Sequence, residues 1–337
     1  MHQSKTKKIA ISLALLLTML FSAQAAEITS LIPIGHTVGI KMSAQGVLVV
    51  RLNEVQTPDG PACPARDAGV AEGDMITKVN GTEIDSNDSL QKQIALSAGQ
   101  PVSLEIVRDG GSQTLTAKPM ADEKGVFRIG VLARDSMAGI GTLTYVDPET
   151  GAFGSLGHGI CDSETGVLMP LKEGSVLYSV VGSVQKGKVG EPGALQGEFA
   201  ADSDIGSVRE NTDSGIFGTL TDSSLYASLE SVPVASADEV QVGDAEILAN
   251  VSGDTVERYQ VQVVKVYPAD DEYGRGMMLR VTDQALLDQT GGIVQGMSGS
   301  PVLQNGKIIG AVTHVLVNDP TCGYAIGIQR MLEEMTN

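Results

Sequence analysis

Tryptophan is absent from this 337-residue chain, and aromatic residues make up only 4% of it. A core short of large rings must be filled by aliphatic side chains and close backbone contacts. The 40 glycines, about 12% against an average near 7%, supply the tight turns that many short strands need. Cations are scarce as well: 23 Lys and Arg stand against 41 Asp and Glu, a net charge of −18. A nucleic-acid surface needs clustered Lys and Arg to displace counterions, so that class of partner is excluded. Three cysteines, Cys63, Cys161 and Cys322, are too few for a disulfide scaffold and show no CxxC-like spacing. They read as small apolar fillers, and no metal site or cofactor is expected.

Long apolar runs are also missing, apart from the 13 residues Ile9 to Phe21. These fall short of the about 20 that cross a bilayer as a helix. With Lys5, Lys7 and Lys8 before the run and Ala23-Gln24-Ala25 after it, residues 1–26 read as an export signal, cleaved after Ala25 or retained as an anchor. The remaining chain is long enough for about two domains at roughly 100 to 200 residues each.

Residues 28–120 form one unit. Met75 to Val79 alternates as a strand, Asn80-Gly81 is a two-residue hairpin turn, Leu90 to Ala98 has helical spacing, and Asp109-Gly110-Gly111 turns a second hairpin. With the run AGVAEGDMITKVNG this stretch resembles a PDZ domain. In such domains a peptide tail adds to a sheet edge and a Gly-containing loop receives its carboxylate, a role that falls here on Thr37, Val38, Gly39 and Ile40. His36 adjoins that loop as a surface residue. Residues 121–127, charged and loop-like, make the expected linker. From 128 to 337 short strands alternate with turns, the pattern of a barrel pair, and only Gln329 to Met335 reads as a helix.

The sequence GMSGSP at 296–301 places Ser298 between glycines in the GxSGxP pattern of a trypsin-type nucleophile loop. A hydroxyl needs a base to take its proton, and the N–H groups of Gly296 and Ser298 suit an oxyanion. Of four histidines, His2 lies in the signal and His314 in the apolar strand GAVTHVLV, where a core position is expected. His158, in the glycine-flanked GSLGHGICD 140 residues before the serine, is the candidate base, with the two groups meeting between two barrels. The carboxylate that orients it is open among Asp162, Asp202, Asp204, Asp213, Asp222 and Asp283.

Taken together, the signal, the PDZ-like unit, RDSMAGIGT at 134–142 and TGGIVQGMSGSPVLQNGKIIGAVTH at 290–314 closely resemble the sporulation stage IV B peptidases, the SpoIVB family. The resemblance implies a mainly β protein, a PDZ-like α+β domain followed by a chymotrypsin-like double β-barrel peptidase domain. It implies catalysis by Ser298, His158 and Asp283. It also implies an exported serine endopeptidase, working between the two membranes of a developing spore. Such a peptidase cleaves itself and the regulatory subunit of an intramembrane protease, triggering sigma-factor activation. Peptide tails would be held by the PDZ-like domain. The alternative is a non-catalytic PDZ adaptor with a degenerate peptidase domain.

Overall fold

The computed structural model describes residues 28–335 apart from 270 and 272, so the export signal expected over 1–26 lies outside the described residues. The chain opens with β1 (Ser30–Pro33) and then β2 (Thr37–Leu52), a strand of 16 residues. That length is about three times a common strand, and its two halves serve different cores. Val38, Ile40 and Met42 pack in one barrel, whereas Val47 and Val49 pack in the PDZ fold.

In the PDZ fold, Val47 and Leu48 pair with Ile76 and Met75 of β3 (Met75–Val79), and the sheet continues through β4 (Val102–Arg108) to β5 (Gly111–Ala117). Both expected turns form. Asn80 and Gly81 have φ of 50° and 75°, and Asp109 and Gly110 have 50° and 74°, as two-residue type I′ turns require. Helix α1 (Asn87–Leu96) is capped by Ser86, which exchanges side chain to backbone hydrogen bonds with Ser89, and it buries Leu90 and Ile94. Asp74, 1% exposed, accepts from Arg108 Nε and Nη2 at 2.6 and 2.7 Å and from the Ala71 N–H at 2.8 Å. A buried carboxylate is stable only when paired in this way.

Strand β6 (Val131–Val146) returns along the whole of β2, with Val131 opposite Leu52 and Thr142 opposite Thr37. It is followed by β7 (Ala152–Ser155), β8 (Leu171–Gln185), β9 (Ala194–Thr212) and β10 (Gly215–Leu220). These close a barrel in the order β2, β6, β7, β10, β9, β8 and back to β2. The second barrel is built from β11 (Gly243–Ser252), β12 (Thr255–Val266), β13 (Met277–Val281), β14 (Pro301–Gln304), β15 (Lys307–Leu316) and β16 (Asp319–Gly327). Its order is β11, β12, β13, β16, β15, β14. Helix α2 (Gln284–Thr290) lies between β13 and the Ser298 loop in sequence. Helix α3 (Ile328–Met335) buries Met331 and Leu332 in the seam between barrels, against Tyr145 and Phe217 of the first and Leu248 and Ile308 of the second.

The fold is the expected PDZ domain and double barrel, with a different connectivity. The PDZ fold is inserted into the β2–β6 hairpin of the first barrel, and the segments 28–120 and 128–337, expected on either side of a linker at 121–127, share one sheet. Half of β2 belongs to the barrel because its Ile40 pairs with Gly139 of β6 on one edge and Val176 of β8 on the other. A chain truncated to 128–337 should therefore lack a cooperative thermal transition by circular dichroism, since β8 and β6 would both lose their common partner. Cooperative melting of that fragment would contradict this connectivity.

Candidate active site

The Ser298 loop is held by backbone geometry that its glycines permit. Gly299 has φ of +96°, and a Cβ there would fall 2.0 Å from the Thr142 carbonyl oxygen, so no other residue fits. Met297 and Ser300 on either side are fully buried, while Ser298 is half-buried and turned to a cleft. Thr142 of β6 reaches across the barrel seam to this loop. Its Oγ1 donates to the Gly296 carbonyl at 2.7 Å and its N–H to the Ser298 carbonyl at 3.0 Å. No backbone carbonyl among the described residues accepts from the N–H of Gly296 or Ser298. Those two donors are available to an anionic oxygen.

His158 arrives from the first barrel on the loop after β7. Gly157, φ +71°, allows the close approach, because a Cβ there would lie 2.8 Å from Ile326 Cγ2 and 2.9 Å from Thr313 Cγ2 of the second barrel. The loop is tied back to β6 by Asp162, whose buried carboxylate accepts from Arg134 Nη1 at 2.6 Å. Burial works to raise that carboxyl, but hydrogen bonds from Thr165 and Glu164 and the Arg134 charge outweigh it and hold it below the usual carboxylate range. His158 and Ser298 line the same cleft of about 670 Å³.

The two groups are not engaged with one another. Ser298 Oγ donates to the Thr313 carbonyl at 2.7 Å, and His158 Nδ1 lies 2.9 Å from the carbonyl oxygen of Gly159. Such hydrogen bonds are worth about 1 kcal/mol net each. Burial lowers the His158 pKa below 6.5, opposed in part by the Gly159 carbonyl, and leaves a neutral imidazole at pH 7.

Several expected positions are placed otherwise. His314 is exposed on the cleft, its ring centroid 4.9 Å from that of His158, because β15 stops pairing with β14 after Ala311 and its outer edge opens. Desolvation against the cleft wall, then the neighbouring His158, lower its pKa. His36 is 5% exposed in the first barrel against Tyr178 and is no surface residue. Thr37, Val38, Gly39 and Ile40 are buried at the start of β2, with β6 along one edge and β8 along the other, so no edge is open to a peptide there. The PDZ fold instead has a groove of about 470 Å³ between Leu90 and Ile94 of α1 and the segment Ile129 to Val131 that starts β6, with Lys124 and Arg128 in its walls. The glycine at 130 in FRIGVLA is the sequence signal for it. Cys161 is exposed and is no apolar filler, unlike buried Cys63 and Cys322, and all three thiols are free.

Asp283 is not brought to the cleft. It is the N-cap of α2: Oδ1 accepts from the N–H groups of Ala285 and Leu286 at 2.9 and 3.2 Å, and Oδ2 from Gln260 N–H at 3.2 Å. Tyr324 of β16 lies opposite both His314 and Met278, and Asp283 is five residues beyond Met278, roughly 16 Å further along the strand direction. Sequence reasoning also passed over Thr142 and Arg134, although both stand in the RDSMAGIGT motif.

Residues 125–332 match the family model of the SpoIVB peptidase S55, and residues 37–118 match that of the PDZ domain. Among curated relatives, zinc metalloprotease RasP of Shouchella clausii is 32% identical over 109 residues, 29% of this chain and 26% of that one. Metalloprotease MmpA of Caulobacter vibrioides is 35% identical over 81 residues, 23% of this chain and 20% of that one. The chain spans about a fifth to a quarter of the length of these relatives. Among solved structures, the Rv3671c protease of M. tuberculosis in its active form is 15% identical with a TM-score of 0.35, over 59% of this chain and 74% of that one. The PDZ domain of an SdrC-like protein from Listeria monocytogenes is 24% identical with a TM-score of 0.22, over 26% of this chain and 87% of that one.

The clamp from Thr142 and the neutral imidazole each have a measurable consequence. Thr142→Val, which keeps the shape and removes the donor to Gly296, should destabilise by about 1 to 3 kcal/mol in urea titration and slow acylation of Ser298 by a fluorophosphonate; Thr142→Ser should restore both. The labelling rate should rise with pH and level off with an inflection below 6.5, the unperturbed value, because only neutral His158 accepts a proton. The same depressed pKa contributes stability that is present above pH 6.5 and lost as the pH falls below it, when the unfolded chain binds a proton that the folded one resists.

Proposed function

The chain belongs to the SpoIVB peptidase S55 family, and on that premise we propose that it is a serine endopeptidase in which Ser298 is the nucleophile and His158 the base. The observation that carries this reading is that the two side chains, 140 residues apart, enter one cleft from different barrels. Ser298 Oγ attacks the peptide carbonyl as its proton passes to His158. The N–H groups of Gly296 and Ser298 receive the oxyanion, and His158 then protonates the leaving amine. Water hydrolyses the acyl-enzyme by the same steps.

Its substrates are proteins: the chain itself, and a membrane-associated regulatory subunit of an intramembrane protease whose cleavage starts sigma-factor activation in spore formation. The family membership supports this, and the apolar run Ile9 to Phe21 supports export and a place close to the membrane. Peptide tails fit the groove beside α1, where apolar Leu90 and Ile94 lie with cationic Lys124 and Arg128. A non-catalytic PDZ adaptor is the second reading, favoured by the Ser298 hydrogen bond to Thr313 in place of an imidazole. Purified protein and its Ser298→Ala variant, incubated alone and with a fluorophosphonate probe, separate the two. The parent should be cleaved and labelled and the variant neither, with its melting temperature unchanged; equal labelling of both would end the assignment.

A further inference from the structure

Two histidines stand together in the cleft, and only one of them has a part in the proposed reaction. His158 comes from the loop after β7 and His314 from β15, and their ring centroids are 4.9 Å apart with the planes tilted by 36°. The backbone sets this approach. Gly157 brings the His158 loop against Thr313, the residue before His314, and Thr313 Oγ1 is itself fixed by donating to the Tyr324 carbonyl at 3.1 Å. Both rings line the main cleft and an adjoining cavity of about 490 Å³ walled by Tyr273 and Arg275. An ion entering from either side meets both.

A carbonyl can only accept, so the 2.9 Å contact of His158 Nδ1 with the Gly159 oxygen puts a proton on Nδ1 and leaves the lone pair on Nε2. Metal-binding imidazoles are held in this manner, one nitrogen donating to a carbonyl while the other ligates. Neither ring nitrogen of His314 has a hydrogen-bond partner among the described residues. Burial keeps both rings neutral at pH 7. Zinc lies about 2.0 to 2.1 Å from an imidazole nitrogen and so about 3.2 Å from the ring centroid, which puts two rings at a tetrahedral angle about 5.2 Å apart. The observed 4.9 Å needs only a small side-chain adjustment.

No group of three His, Cys, Asp or Glu that could hold a metal is present among the described residues. Structural zinc takes four protein ligands and catalytic zinc three, so the pair suits neither. It suits a reversible ion held by two imidazoles and two waters. Magnesium and calcium prefer oxygen ligands and do not fit.

We propose that His158 and His314 form a site for an inhibitory zinc ion. The site stands on the geometry of the two rings, and its effect on catalysis rests on the peptidase reading above. Zinc on His158 Nε2 occupies the lone pair that must accept the Ser298 proton, so the base is lost without any covalent change. Ser298 keeps its hydrogen bond to the Thr313 carbonyl meanwhile. His314, which the reaction does not use, supplies the second ligand.

The test is fluorophosphonate labelling of the full chain in metal-free buffer and with zinc chloride. With a dissociation constant on the order of 10 μM, about 100 μM zinc should slow labelling roughly tenfold, and EDTA should restore it. Millimolar magnesium should have no effect. Without zinc, His314→Ala and His314→Gln should label within about threefold of the parent, and neither should respond to the metal. Cys161→Ala, which removes the cleft thiol, should respond as the parent does. Calorimetry on Ser298→Ala should show zinc binding at the same affinity, lost when His314→Ala is added. Inhibition that persists in both His314 variants, or that vanishes in Cys161→Ala, would overturn this inference alone. A parent that is never labelled, with the His314-dependent zinc binding intact, would end the peptidase reading and leave the zinc site standing.

Discussion

The pair of hydrogen bonds from Thr142 to the carbonyls of Gly296 and Ser298 is the interaction on which the site depends. It joins a strand of the first barrel to the Ser298 loop of the second and fixes the peptides on either side of Met297 and Gly299. The constraint is mutual. Gly299 must be glycine because the Thr142 carbonyl occupies the space of its Cβ, and that carbonyl is in turn fixed by Ser155 Oγ at 2.7 Å. A buried seam with each acceptor satisfied costs little; one left unpaired would cost about 1 to 3 kcal/mol, enough to deform the loop.

Strand β6 gives that interaction its reach. Along 16 residues it begins at the PDZ groove, binds the His158 loop through Arg134 and Asp162, walls the cleft at Met137 to Ile140, and passes Thr142 and the seam before ending at Val146. Its partner β2 runs beside it from Val131 to Thr142, so the PDZ fold and the cleft share two continuous strands. The PDZ fold has its own core around Ile76, Leu90, Ile94 and Leu104, and it is joined to the barrel by β2 and β6.

Short-range chemistry makes much of this molecule legible in its amino-acid sequence. The Asn80-Gly81 and Asp109-Gly110 turns, the strand Met75–Val79 and the closing helix form where that chemistry places them, since each depends on a few adjacent residues. Ser298 and His158 are legible for the same reason, standing in glycine-rich turns that hold a side chain toward a cleft. The misplacements have one origin. Thr37 to Ile40 looks like an open loop, His314 like a core residue and Asp283 like an active-site acid, and in each case the deciding fact is which strand edge or helix end lies alongside. Periodicity along a chain carries no record of pairing across it.

The residues by themselves determined the composition of the cores, the local turns and helix caps, and the glycine-rich motifs in which Ser298 and His158 stand. Those properties follow from propensities and from chemistry within a few residues. Only the tertiary structure decided that β2 is shared between PDZ fold and barrel, that Thr142 ties down the Ser298 loop, and that Asp283 caps a helix. Each of these is a matter of register between segments distant in the chain, set by closing two barrels against one another, and a barrel closes only when every strand has found both neighbours.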